Sequence, residues 1–374
     1  YQHGDRYQHP DRIVRSVQAT VEYLDMFDQI FFRDRVLADS ANPKARPILG
    51  LHFFGLELLP GIARMVGDRA VVLPELDYGV HASARKVDLL APLASSGTEV
   101  WLEMCLDEYN NMRLPQQTTH SLQKLIRDAT RAGVSGFLAG HWRIRVNEPS
   151  GAYWMRAAWE PHLAVGDFDQ FFFGQLCGSK AARTLQAAFE ILEQADVHNR
   201  DKLIGFGFTW PASFEQSLRP PAGRAGAGQL TQQGEGEQQT LSPELRTTLN
   251  AFEKVLVLLR QAFQEASGSQ DYIDYWIMQL EFGIAYIRLK SAARRLAPLA
   301  HSALQDPTLM PRATAAYEDL VKQTRETICI LARQVRGRDD QGMLVALNEW
   351  VLRPVLEFAD FRLKEQPFSL GARH

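Results

Sequence analysis

Acidic, aromatic and imidazole side chains gather just past four short apolar runs of this sequence. His52 and Glu57 follow the first; Glu75, Asp77 and Tyr78 follow the second. Glu103 lies within the third, with Asp107, Glu108, Tyr109 and Asn110 behind it, and His141, Trp142, Arg143, Arg145 and Glu148 follow the fourth. This mixture suits a sugar: aromatic faces accept the apolar side of a pyranose ring, while carboxylate, amide, guanidinium and imidazole groups hydrogen-bond its hydroxyls. Hydrolysis of a glycosidic bond typically uses two flanking carboxyl groups, one protonated to assist the leaving oxygen and one ionised to activate water or attack carbon. Asp77 and Glu108 are the pair expected to be catalytic, with His52, Tyr78, Glu103, Tyr109, His141, Trp142 and Arg143 as substrate contacts.

Each of these residues also has a structural reading. Asp77 can cap the next helix, Glu108 can be a solvated loop charge, and a single His beside Trp and Arg is more often a hydrogen-bonded structural group than a base. Arg143 and Arg145 stand two apart, so on a strand they share one face and can grip a carboxylate together, or else anchor loops through acidic partners. Trp101, Trp154, Trp159 and Trp210 read first as core. Cys105, Cys177 and Cys329 are far apart and lack metal-ligand spacing, so they read as buried thiols rather than as disulfides or a zinc site. The chemistry calls for neither metal nor organic cofactor.

The elements that must position these groups follow from periodicity. Arg12 to Arg35 carries apolar residues at helical spacing, with Asn42 and Pro43 as a stop. Strands are expected over Pro47–Phe54, Ala70–Leu76, Glu99–Leu106 and Val134–Ala139. Between them lie helices over Leu59–Val66, closed by Gly67, over Leu89–Ala94, and over Thr119–Arg131 with Gly133 past its end. Strand alternating with helix implies a parallel sheet, because parallel neighbours need a crossover. A doubly wound sheet is the rival, but Gly133, Gly136 and Gly140 surround a strand rather than open a helix, so no phosphate loop is present. The expectation is therefore an α/β fold, the C-terminal half of a parallel (β/α)8 barrel, followed by an α-helical bundle.

Aromatic-rich helices over Ala152–Trp159, Phe168–Leu176 and Ala181–Ala195 come next. Pro220–Thr240, rich in Gly, Gln and Ala, reads as a linker, and Ser242-Pro243-Glu244 as a helix start. Long amphipathic helices follow over Glu244–Ala266, Tyr272–Leu296, Pro311–Val335 and Gly342–Phe361, with the aromatic positions of Tyr272–Tyr286 forming a bundle seam. The expected domains are residues 1–210, a linker at 211–241, and a helical domain at 242–374.

The stretches LEMCLDEYNNM (Leu102 to Met112) and AYWMRAAWEP (Ala152 to Pro161) resemble late-strand and post-barrel segments of α-glucuronidases. In that family an acidic pair lies on successive strands, and a helix ending in an R-x-A-W pattern follows the barrel. The resemblance implies that LDYG (Leu76 to Gly79) carries the first acid, Asp77, and that Glu108 is the second, the two polarising the attacking water in an inverting hydrolysis. GHWRIR (Gly140 to Arg145) is similar to the last strand of β-hexosaminidase-like barrels. By this alignment the first strand here corresponds to the fifth of the family. The general acid is then expected upstream of Tyr1, or near Asp5.

Length and charge leave this reading open and close others. The 374 residues, 45% hydrophobic, can bury a sizeable core. A net charge of −3, from 41 basic and 44 acidic residues without long single-sign runs, selects neither nucleic acid nor an anionic membrane as partner. No run of 18 apolar residues is present to span a bilayer. The expected function is hydrolysis of a terminal sugar of an oligo- or polysaccharide, in an extracellular or periplasmic setting ahead of a cytoplasmic one acting on imported oligosaccharides, with a homodimer formed through the C-terminal helices. The alternatives are a non-catalytic carbohydrate-binding or scaffold protein that keeps the aromatic cleft, and a helical interaction protein using Glu244 to Phe361.

Overall fold

The computed structural model describes residues 10–30, 46–94, 96–106, 114–141, 145–198, 214, 216–218, 241, 243–333 and 335–362. The chain divides into two compact units, Tyr1–Glu108 with Thr118–Val165, and Tyr109–Gln117 with Gly166–His374.

The first unit alternates helix and strand. Helix α1 (Arg12–Asp28) is capped by Asp11, whose carboxylate accepts the Ile13 N–H. Then come β1 (Ile48–Leu51), α2 (Leu59–Val66), β2 (Val71–Pro74), the one-turn helices α3 (Val80–Ser83) and α4 (Ala91–Ala94), β3 (Trp101–Cys105), α5 (Thr119–Arg131), β4 (Gly136–Gly140) and α6 (Glu148–Ala157). Helix α2 ends at Gly67, with φ of 57°, and Gly133 past α5 has φ of 89°, so each helix stops where a glycine takes the left-handed backbone. Leu122, Leu125, Ile126 and Ala129 of α5 are buried, at the spacing of one helical face.

The strands run parallel. β1 pairs with β2 and β3 with β4, and isolated bridges at Val72–Val100 and Glu75–Glu103 join β2 to β3. Their spatial order therefore follows the chain order. On one face Val72, Val100, Leu102 and Met104 are buried at 2% exposure or less. Trp101, Glu103 and Cys105, two residues apart, share the other face and are half-buried. Gly136, opposite Trp101, is required there. A Cβ at 136 would sit 2.5 to 2.7 Å from the indole, so the ring lies over bare backbone.

The second unit is helical: α7 (Val165–Cys177), α8 (Ser179–His198), α9 (Pro243–Glu265), α10 (Gln270–Gln305), α11 (Met310–Ala332), α12 (Arg338–Leu347) and α13 (Arg353–Arg362). Helix α8 lies along α9, and α10 packs on both α9 and α11. Phe173 stacks on Phe189 at 5.0 Å, and Phe189 meets Trp276 edge-on at 4.7 Å. The aromatic positions between Ile273 and Tyr286 are buried, so this stretch packs as an apolar seam. The single helix expected over Gly342–Phe361 is instead two helices, α12 and α13, separated by a π-helical turn at Asn348–Leu352. Two further expectations change. Cys177 is buried, but Cys105 is intermediate and Cys329 exposed. Trp159 is 89% exposed rather than core, because it falls in the turn after α6.

Lys290 of α10 is 1% exposed, and burial, with Arg294 adding like charge, pushes its ammonium down to about 7. The unfolded chain holds this proton up to 10.5, so stability should rise as pH climbs from about 7 towards 10.5. Thermal melts across that window should show this rise in the wild type and lose it in Lys290→Met. In the first unit, Gly136→Ala should cost about 1–3 kcal/mol through overpacking against Trp101. Pairing it with Trp101→Ala should cost less than the sum of the two single changes in urea titrations followed by circular dichroism.

Candidate functional site

Parallel register sets the geometry of the C-terminal strand ends. Leu51 pairs with Pro74 and the Glu75 N–H donates to the Leu51 carbonyl at 2.8 Å, so His52 and Glu75 leave their strands side by side. Glu75 stands opposite Glu103, and Glu103 opposite Leu138. His52, Glu75, Glu103 and Leu138 thus form one row across four strands. Neighbouring strands are about 4.8 Å apart, which brings the two carboxyl groups close.

This row fixes the charge state of Glu75. Its side chain is 14% exposed, and His52 Nε2 lies 3.4 Å from its Oε2. Burial, the charge of Glu103 and the charge of Asp77, in that order, push the Glu75 carboxyl up to about 7. A group that keeps its proton near neutrality can donate it, the role hydrolysis assigns to the acid. Sequence reasoning passed over Glu75 as one polar residue among several. The signal that could have found it was the pairing of two glutamates on neighbouring parallel strands.

Asp77 sits one level further out. Its Oδ1 accepts the Tyr78 N–H at 2.8 Å and its Oδ2 is 2.7 Å from Lys86 Nζ. Gly79, with φ of 93°, turns the chain into α3, and the Ser83 hydroxyl donates back to the Asp77 carbonyl at 3.2 Å. His81 of α3 holds this loop against α5, its Nδ1 2.7 Å from Ser121 Oγ. The Tyr78 hydroxyl lies 3.3 Å from His52 Nε2, and the two rings meet edge-on at 5.4 Å. The structure therefore brings together His52, Glu75, Asp77, Tyr78 and Glu103. His141 is exposed just past β4. Glu108, Tyr109, Trp142 and Arg143 lie outside the described residues. So do Trp210 and residues 220–240 of the linker expected at 211–241, whereas Phe214, Ser217, Leu218 and Leu241 within it are buried rather than linker-like.

At the opposite strand ends Glu99 pairs with Arg46 and accepts the Trp101 Nε1–H at 2.9 Å. The Arg46 bond, the Trp101 bond and the Ser135 hydroxyl draw its carboxyl down. Glu99 is thus a structural anchor, while Glu75, two turns of the pleat further on, carries the displaced proton. Among the described residues no cluster of three or more His, Cys, Asp or Glu is placed to hold a metal ion. No described helix is long and apolar enough to cross a membrane.

No protein-family model matches the sequence, and no curated protein does. Among solved structures, a GH138 enzyme targeting pectin rhamnogalacturonan II superposes with a TM-score of 0.51 at 9% identity. The match covers 86% of this chain and 56% of that one, so this chain spans little more than half of that structure. At this identity the likeness is one of fold alone.

The folded chain keeps the Glu75 proton to about pH 7, whereas an unfolded chain releases it near 4.5. Raising pH between those values therefore favours unfolding, and Glu75→Gln should remove that slope. The variant should be more stable than the wild type above pH 7, by about 2 kcal/mol, in paired thermal melts at pH 5 and pH 8.

Proposed function

We propose that this chain contributes the active-site strands of a glycoside hydrolase acting on a terminal sugar of an oligo- or polysaccharide. The observation that carries the reading is Glu75: a carboxyl held protonated near neutrality, in a row with His52 and Glu103, at the C-terminal edge of a parallel sheet. Active sites of parallel barrels occupy that edge. The four strands keep chain order without the reversal of a doubly wound sheet, which supports reading them as a barrel wall. The likeness to a solved glycoside hydrolase fold agrees with it.

In this reading Glu75 is the general acid and protonates the leaving glycosidic oxygen. Asp77, ion-paired with Lys86, is the ionised partner, and together with Glu108 polarises the attacking water. Glu103 keeps the Glu75 proton in place by its charge and, with His52 and Tyr78, hydrogen-bonds sugar hydroxyls. Tyr109, His141, Trp142 and Arg143, which follow β3 and β4 in the sequence, are the further sugar contacts of this reading.

The test is turnover of aryl glycosides by the full-length protein beside sugar binding by calorimetry. Glu75→Gln should lower kcat by about 10²–10⁴-fold with binding retained, and Asp77→Asn should do likewise. The basic limb of the pH–rate profile should fall near 7, because Glu75 donates only while protonated. Sugar binding without turnover in the wild type, unchanged by either substitution, would instead identify a carbohydrate-binding module.

A further inference from the structure

The aromatic seam of α10 turns basic towards the C-terminal half of the helix. Tyr286, Lys290 and Arg294 follow one another at four-residue steps, so the three side chains lie along one side of α10. Tyr286 is fully buried, Lys290 is 1% exposed, and Arg294 is half-buried, so part of it still meets solvent. Two cations one turn apart repel each other, and both are drawn out of water, a cost that an acidic neighbour ordinarily offsets.

Among the described residues no acid fills that place beside Arg294. The other two arginines of α10 are satisfied: Arg288 pairs with Glu253 of α9 at 2.9 Å, and Arg295 donates to Ser291 Oγ at 3.0 Å. Arg294 has neither an ion-pair partner nor a hydrogen-bond acceptor among the described residues, and the groups that act on it electrostatically are Tyr286 and Lys290. Burial draws its guanidinium down, and burial followed by the Arg294 charge draws Lys290 down to about 7. Helix α9 adds charge of the same sign. It runs antiparallel to α10 in a register set by the pairs Arg260–Glu281 and Glu253–Arg288, which lie two turns apart on each helix. Two further turns bring the exposed Arg246 level with the Arg294–Arg295 step.

We propose that the Lys290–Arg294 turn of α10 is a recognition site for a compact oxyanion, the phosphate or carboxylate group of a small molecule. The guanidinium offers a planar fork that matches two oxygens at once, and the ammonium one turn back meets the same anion as a point charge. The helix fixes their spacing, so little ordering is needed when the ligand arrives. An anion seated there supplies the charge that the surrounding helices withhold. For packing alone, apolar side chains at positions 290 and 294 would cost less, because a buried ion gains nothing without a counter-charge. The site lies wholly within the helical unit, goes beyond the glycosidase reading and does not depend on it.

Calorimetry and thermal melts of the full chain test it, at constant ionic strength and at about pH 6.5, where Lys290 keeps its proton. The probes are sodium phosphate and sodium acetate, a tetrahedral oxyanion and a carboxylate. At least one should bind saturably, with Kd on the order of 1 mM, and raise the melting temperature over the same range. The tighter of the two gives the class of ligand. Arg294→Gln and Lys290→Met should each weaken that binding about tenfold to a hundredfold with circular dichroism unchanged, and Arg294→Lys should recover part of it. Arg294→Glu builds the missing carboxylate into the helix, so this variant should ignore both anions and melt above Arg294→Gln. A melting temperature that climbs linearly with either salt, and equally in Arg294→Gln, is the general effect of excluded anions and overturns the proposal. Absence of binding by both probes in the wild type overturns it as well.

Discussion

Two glutamates at the same level of adjacent parallel strands cannot both be charged cheaply. Glu75 and Glu103 meet this way because Val72 pairs with Val100, which leaves the two carboxyl groups opposite each other three residues on. Burial of Glu75 first, and the Glu103 charge about one strand spacing of 4.8 Å away second, raise the hold of Glu75 on its proton. Much of the remaining architecture serves to keep that register. Trp101 over Gly136 locks β3 to β4, Arg46 and Glu99 close the far end, and Gly79 turns the exit of β2 so that Asp77 adds its charge from outside the row.

How much of this the sequence discloses depends on which physical signal is local. Helix α5 is readable to the residue because its buried stripe, its exposed face and Gly133 all lie within one window. α2 is readable for the same reason, with Gly67 at its end. The strands appear as apolar runs that overshoot the paired residues, by up to four in the case of Pro47–Phe54 against Ile48–Leu51, while the run over Val134–Ala139 stops one residue short of Gly140. Asp77, Tyr78, His52 and Glu103 do converge on the strand ends, as alternation and parallel order imply. Glu75 is different. Its importance comes from a partner 28 positions away, and only the relative shift of β2 against β3 decides whether those side chains meet. No periodicity within either strand carries that shift.

The helical unit shows the same limit in another form. Amphipathic spacing predicts helix over Gly342–Phe361, and every described residue there is helical, but the chain takes a wider turn at Asn348–Leu352. A π turn preserves hydrogen bonding and apolar spacing while rotating one half of the helix against the other. Val351 and Val355 stay fully buried on either side of that rotation, so packing, not local propensity, chooses the turn. Lys290 is similar: its placement on the buried stripe of α10 marks a cost that hydrophobic patterning alone would have assigned to an apolar residue.

The carboxylate row and the exposed apolar groups at the flanks of its sheet face are physically linked. Glu75, Glu103 and Trp101 lie on the same face as the exposed Ile48 and Leu138, so whatever covers those apolar groups also removes water from above the carboxyls. Lower effective dielectric strengthens the repulsion between Glu103 and an ionised Glu75 and deepens the cost of burying the charge. Both effects act in one direction, raising the affinity of Glu75 for its proton. An acid already poised near neutrality is therefore held more firmly wherever water is excluded from this row, and the register that creates the pair also makes its chemistry respond to that exclusion.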